Sequence, residues 1–149
     1  DVMDKTLKDA GPIVFITSAG GALGQVLKVS GAGDSLAQMV LNTGLPFILI
    51  PFVISGLLKV VQGSGTVAVT TAATLCAPIA ASLGLDPILI FLASGAGARL
   101  CCHVNDSYFW VYTNCMGYDM KTGLKTLSIS NVVMSLGGLA ATFICSLWL

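Results

Sequence analysis

Long apolar stretches separated by short polar breaks run along most of this chain. A helix needs about 20 mostly apolar residues to cross the ~30 Å hydrocarbon core of a bilayer. The pattern predicts membrane segments at residues 11–29, 45–61, 66–83, 87–110 and 124–149. Each is expected to be helical, because an open strand edge cannot satisfy its backbone polar groups in lipid. The sequence therefore predicts an all-α, multi-pass integral membrane protein.

The second and third segments are short, and only a Gln-Gly-Ser-Gly tip separates them. Pro46 and Pro51 are expected to bend the first of the two helices, and Pro78 to interrupt the second. The residues leave two interpretations open. The pair is either a re-entrant hairpin, which dips into the membrane and returns, or two full spans joined by a tight loop.

Composition agrees with a membrane protein. Charged residues make up 9% of the chain and hydrophobic residues 55%, and the mean hydropathy is +0.89. A soluble domain normally carries about a quarter charged residues, so lipid is the expected solvent for most of this surface. The net charge is zero, and no basic patch indicates a nucleic-acid partner. The chain opens on Asp1 rather than Met and is expected to be a piece of a longer protein.

A glycine-rich break interrupts the first segment. Small residues at this density let a neighbouring helix approach closely, so Gly20, Gly21 and Gly24 are predicted to serve helix packing. The alternative is a stretch of exposed backbone that faces a substrate.

The tip between the second and third segments combines an amide, two hydroxyls and free backbone N–H groups at the start of a helix. The positive end of that helix dipole suits a carboxylate. The predicted substrate-binding residues here are Gln62, Gly63, Ser64, Gly65 and Thr66. The competing interpretation is an ordinary capped loop, with Ser64 or Thr66 as the N-cap.

The strongest local signal is the polar stretch that follows the apolar fourth segment. Ionisable groups inside a membrane segment cost at least ~2.5 kcal/mol, so they usually face a cavity or a partner. His103 can titrate near neutral pH and Asp106 can share or relay a proton, which makes both candidates for proton coupling. A discontinuous helix here would present Asn105 and Ser107 to a substrate.

Other interpretations of this stretch stay open. It could be a loop leaving the membrane, with Asp106 as a helix cap. Arg99 is either an anion-binding residue or a cation that reaches the interface. No metal site is expected, because Cys101, Cys102 and His103 are adjacent and lack zinc-ligand spacing. An intramembrane enzyme would need a nucleophile and base at a spacing that the chain does not offer.

Four strings, at residues 20–27, 33–37, 62–68 and 103–110, occur in the same order in the gluconate permease family. The chain resembles the C-terminal part of that family over nearly its whole length. Tyr108 stands where the family commonly has a small residue, and Cys101-Cys102 stands where Ser is often found. Both departures would bear on substrate choice.

The resemblance implies a bacterial inner-membrane secondary transporter that takes up gluconate, a related small hydroxy carboxylate or, in some members, D-serine with protons. It implies inverted repeats that each carry a re-entrant hairpin and a broken helix, of which this chain holds the C-terminal set. The expected partners are the carboxylate, the bilayer and the missing N-terminal half, with a homo-oligomer left open. No cofactor is expected beyond the coupling proton. A channel or a non-transporting membrane subunit is the alternative from another class.

Overall fold

The computed structural model describes residues 44–83 and 86–148, together with scattered positions before residue 44; of residues 77–83 it describes the backbone alone. This part of the chain is helical and contains no strand. The segment predicted at 11–29 lies mostly outside the described residues, and Gly20, Gly21 and Gly24 lie wholly outside them. The packing role of these glycines stays a prediction.

Two helices occupy the predicted hairpin region, α1 (Leu49–Gln62) and α2 (Gly65–Leu83). Gly63 ends α1 with a φ of 74°, a left-handed conformation that glycine adopts readily. The hydroxyl of Ser64 accepts a hydrogen bond from the N–H of Val67 at 3.4 Å, so Ser64 rather than Thr66 caps α2. The depth of this helix pair in a membrane stays a prediction.

The prolines lie differently from the sequence prediction. Pro46 precedes α1, and its carbonyl accepts the N–H of Leu49 at 2.8 Å. Pro51 lies in the first turn, where a helix N–H has no intrahelical partner, so no helix hydrogen bond is lost. Helix α2 continues through Pro78. The predicted interruption at Pro78 was therefore wrong, and Pro46 and Pro51 mark the start of a helix rather than a bend.

The fourth apolar segment divides into α3 (Pro87–Gly97) and α4 (Ser107–Met116). Residues 98–106 between them form no regular helix and are called the connecting loop below. Asp86 caps α3 by accepting the N–H of Ile88 at 2.8 Å, and Pro87 occupies the first helical position. The chain thus leaves its helical path where the sequence predicts a discontinuous helix.

The last helical run comprises α5 (Met120–Gly123), a π-helical turn (Leu124–Ser128) and α6 (Ile129–Cys145). Together they span 26 residues and form the one described helix that is long and apolar enough to cross a membrane. The run begins at Met120, before the predicted boundary at residue 124. In the π turn, the Ser128 hydroxyl donates a hydrogen bond to the carbonyl of Cys102 in the connecting loop. Single π turns often lie at functional sites.

Helix α3 packs against α1, α2 and α6. Gly97 lies so close to α1 that a Cβ there would overlap the carbonyl oxygen of Phe52. On the other side of α3, the Ser135 hydroxyl donates to the carbonyl of Ala96 at 2.8 Å. The core between α1, α2 and α3 is formed by Ile50, Ile54, Leu58, Ala68, Ala72, Cys76, Ile90 and Ala98.

Large apolar side chains remain exposed along α6, among them Ile129, Val133, Leu136 and Ile144. A face of this kind requires either lipid or another part of the protein. The helix therefore has the surface expected of a membrane segment.

Candidate functional site

A cavity of about 540 Å³ lies where the α1–α2 turn, the connecting loop and α6 meet. The first residues of α2 and of α4 both line it, so two helix N-termini border the same space. Its charged lining residues are Lys59, Arg99 and Asp106. Its polar lining includes Ser64, Thr66, Cys102, Ser107, Tyr108 and Asn131.

A buried ion pair joins the end of α1 to the connecting loop. The ammonium group of Lys59 contacts Oδ2 of Asp106, and the two residues are 6% and 7% exposed. Lys59 also donates to the carbonyl of Gly63 at 2.7 Å. The thiol of Cys102 donates to Oδ2 of Asp106 at 3.0 Å, and the N–H of Tyr108 donates to Oδ1 at the same distance. Asp106 is thus both the cap of α4 and the counter-ion of Lys59.

The electrostatics of the cavity favour an anion. Two cations and one anion line it, which leaves one net positive charge while Asp106 is ionised. Arg99 is exposed, and its guanidinium makes no hydrogen bond or ion pair with any residue that the structure describes. Each helix N-terminus adds a partial positive charge. Asp106 already caps α4, whereas only the long Ser64 contact caps α2.

The structure brings a subset of the predicted site residues together. Those that line the cavity are Ser64, Gly65, Thr66, Asp106 and Ser107. They come from the α1–α2 turn and from the start of α4, two places that are far apart in the sequence.

The other predicted residues lie beside the cavity rather than on its wall. Gln62 is buried, and its Nε2 has no hydrogen-bond partner within the described ranges. Gly63 contributes its carbonyl to Lys59. His103 is half-buried, and its Nδ1 accepts the backbone N–H of Asn105 at 3.5 Å. Asp106 therefore lies on the cavity wall and His103 does not, although the sequence analysis predicts a role in proton coupling for both.

Asn105 fixes the connecting loop to the end of α1. Its Nδ2 donates to the carbonyl of Val60 at 2.7 Å. A Cβ on Gly63 would overlap the carbonyl oxygen of Asn105, so only glycine permits this approach. Within the loop, the indole N–H of Trp110 donates to the carbonyl of Val104 at 2.7 Å. These contacts hold the loop, and with it Asp106, against the α1–α2 turn.

Lys59 and Asn131 are two polar cavity residues that sequence reasoning missed. Lys59 is the one charged residue of α1, and a lone cation in an apolar helix is costly in lipid unless it is paired. That signal was available in the sequence. Asn131 follows the π turn, and its Nδ2 donates to the carbonyl of Leu127 at 2.9 Å. No pattern in the sequence marks it.

Among the residues that the structure describes, no group of three or more His, Cys, Asp or Glu side chains is arranged to hold a metal ion. All five cysteines are free thiols.

The model of the GntP family permease matches residues 1–148 of the chain. An uncharacterised permease of Haemophilus influenzae is 40% identical over 141 residues, which cover 93% of this chain and 29% of that protein. A gluconate permease of Bacillus licheniformis is 32% identical over 148 residues, covering 99% of the chain and 33% of the relative. The Gnt-II system L-idonate transporter of Escherichia coli is 34% identical over 139 residues, covering 93% and 32%.

The chain therefore spans about a third of the length of these relatives. No solved structure matches it. The relatives are named as permeases and transporters rather than enzymes, and the family match covers nearly every residue. The resemblance seen in the sequence is confirmed: this apolar, helical chain is part of a membrane protein and belongs to the GntP family of permeases.

Proposed function

We propose that the full-length protein is a secondary transporter of the inner membrane that takes up gluconate or a related small hydroxy carboxylate together with protons. Gluconate and L-idonate appear in the names of relatives, and both are sugar acids. The observation that carries the proposal is the net positive cavity, which is lined both by Arg99, a cation that pairs with no described residue, and by the buried Lys59–Asp106 pair.

The carboxylate of the substrate is held by Arg99 and by the free N–H groups at the start of α2. A guanidinium pairs with a carboxylate through two parallel hydrogen bonds, and the helix N-terminus adds donors that already point toward an anion. The substrate hydroxyls bond to Thr66, Ser107 and Asn131, which line the same cavity. This division places charge recognition at one end of the substrate and hydroxyl recognition along it.

Asp106 is the proton carrier in this proposal. It lines the cavity in contact with a cation, whereas His103 lies off the wall. A coupling group must sense occupancy of the site, and a carboxylate beside the bound anion does so through direct repulsion when it is ionised.

The α1–α2 pair acts as the re-entrant hairpin and the connecting loop as the break of a discontinuous helix. Both would lie near mid-membrane, as in transporters built from inverted repeats. The remaining two thirds of the protein supply the other repeat and complete the site. Oligomeric state stays a prediction.

Proton-driven uptake by the full-length permease in vesicles tests the proposal. If one proton accompanies each carboxylate, an inward gradient of one pH unit sustains about tenfold accumulation of gluconate. Asp106→Asn should abolish that accumulation while still exchanging internal for external gluconate, because the asparagine cannot carry a proton.

His103→Gln serves as the matched control and should accumulate gluconate like the wild type. Gradient-driven accumulation by Asp106→Asn contradicts the assignment of the proton carrier. Flux through the wild type that neither saturates nor responds to the proton gradient would instead indicate a channel.

A further inference from the structure

We propose that Lys59 is a shared cation: it pairs with Asp106 while that carboxylate is ionised, and with the substrate carboxylate once Asp106 is protonated. The inference rests on the proposed function, because it names the residue that links proton binding to substrate binding in the same cavity.

The contacts of Lys59 leave room for a second anionic partner. An ammonium group has three donors. Two are used, one by Asp106 and one by the carbonyl of Gly63, and no described residue accepts the third. A Cβ on Gly65 would lie 3.9 Å from Nζ of Lys59. The ammonium therefore lies next to the N-terminus of α2, where the substrate carboxylate is expected.

The charges around Asp106 give the direction of coupling. Lys59 faces it from α1, Arg99 and Cys102 line the cavity from the connecting loop, and Tyr108 does so from α4. The cavity residues from α2 and α6 are uncharged. Protonation of Asp106 raises the net charge of the cavity wall from one to two positive charges. A buried cation without a counter-ion is unfavourable, so protonation favours an anion beside Lys59.

Linkage makes this effect reciprocal. If a proton on Asp106 strengthens carboxylate binding, a bound carboxylate must strengthen proton binding by the same factor. Each ligand therefore binds more tightly once the other has bound. That behaviour is what a symporter requires.

A structural ion pair predicts a different pattern. If Lys59 only held the connecting loop in place, its removal would change stability and leave substrate affinity unchanged in protein that is still folded. The shared cation predicts that affinity depends on Lys59 even when Asp106 has already been neutralised.

Calorimetric titration of the purified full-length permease with gluconate and L-idonate separates the two. Titrations from acidic to alkaline pH, in buffers of different ionisation enthalpy, give both the affinity and the number of protons taken up. The wild type should take up protons on binding. The Asp106→Asn variant should bind gluconate without taking up protons, and its affinity for gluconate should not change with pH.

Adding Lys59→Gln to Asp106→Asn should weaken binding about tenfold to hundredfold, the effect of one charged hydrogen bond. The double variant removes both charges of the buried pair, so neither partner is left as an unpaired ion. Gel filtration checks that the variant is folded. Lys125→Gln, which changes an exposed lysine outside the cavity, is the matched control in the same background and should leave affinity unchanged.

Equal affinity of Asp106→Asn and the double variant overturns the shared cation. That outcome leaves the proposed function standing as long as the wild type still takes up protons when it binds. A wild-type protein that binds neither sugar acid, or binds without protons, overturns the proposed function and this inference together.

Discussion

Replacing Lys59 with methionine should lower the free energy of unfolding of the full-length permease by about 3–5 kcal/mol. The change leaves the carboxylate of Asp106 buried without its counter-ion, and the carbonyl of Gly63 loses a donor. Lys59 joins the α1–α2 turn to the connecting loop. The substitution therefore weakens the contact between these two segments, which form part of the cavity wall. Equilibrium unfolding in mixed micelles measures it.

Adding Asp106→Asn to Lys59→Met should restore at least half of that loss. The second change removes the unpaired charge, and an asparagine can still accept the N–H of Tyr108 that caps α4. Lys125→Met is the control and should stay within about 0.5 kcal/mol of the wild type, since the residue is exposed. A double variant that is less stable than either single variant would show that the pair is not the source of the loss.

Gly97→Ala should destabilise the permease by about 1–3 kcal/mol, because the added methyl group forces α3 away from α1. A Cβ at this position overlaps the backbone of Phe52, which cannot move without shifting the whole helix. Since α1 also carries Lys59, the same change should weaken gluconate uptake. Thermal unfolding of the purified permease and vesicle uptake report the two effects.

Gly95→Ala supplies a matched control for stability alone, two residues earlier on the same helix, because Gly95 itself lines the cavity. A Cβ there meets no atom within 4 Å, and alanine is favoured over glycine in a helix by up to about 1 kcal/mol. The two substitutions are therefore expected to shift stability in opposite directions. Similar shifts at both positions would argue against close packing of α3 on α1.

Most local features of the fold could be predicted from the sequence. Apolar runs predict the helices, and glycine at residue 63 suits the left-handed end of α1. The Asn-Asp-Ser stretch predicts a break, and Asp106 indeed begins a new helix. Pro78 was misjudged because proline lacks one donor and is expected to break a helix, yet α2 continues through it.

The tertiary contacts that form the site could not be predicted from the sequence. Lys59 and Asp106 are 47 residues apart, and their pairing depends on how the connecting loop docks on α1. In the sequence His103 and Asp106 are equivalent candidates, because both are ionisable residues of the same polar stretch. The path of the connecting loop places Asp106 on the cavity wall and His103 beside it. Asn131 reaches the cavity through the packing of α6, which has no local signature.

The substrate is expected to occupy the cavity between the α1–α2 turn and the connecting loop. Thiol labelling of a Thr66→Cys variant of the full-length permease tests it most directly, with labelling at each cysteine read by mass spectrometry. Gluconate at about ten times its Kd should slow labelling at residue 66 about tenfold, because the free fraction falls by that factor. Asp119→Cys, at an exposed position between α4 and α5, should label at an unchanged rate. Unchanged labelling at residue 66 in protein that binds gluconate would contradict this expectation.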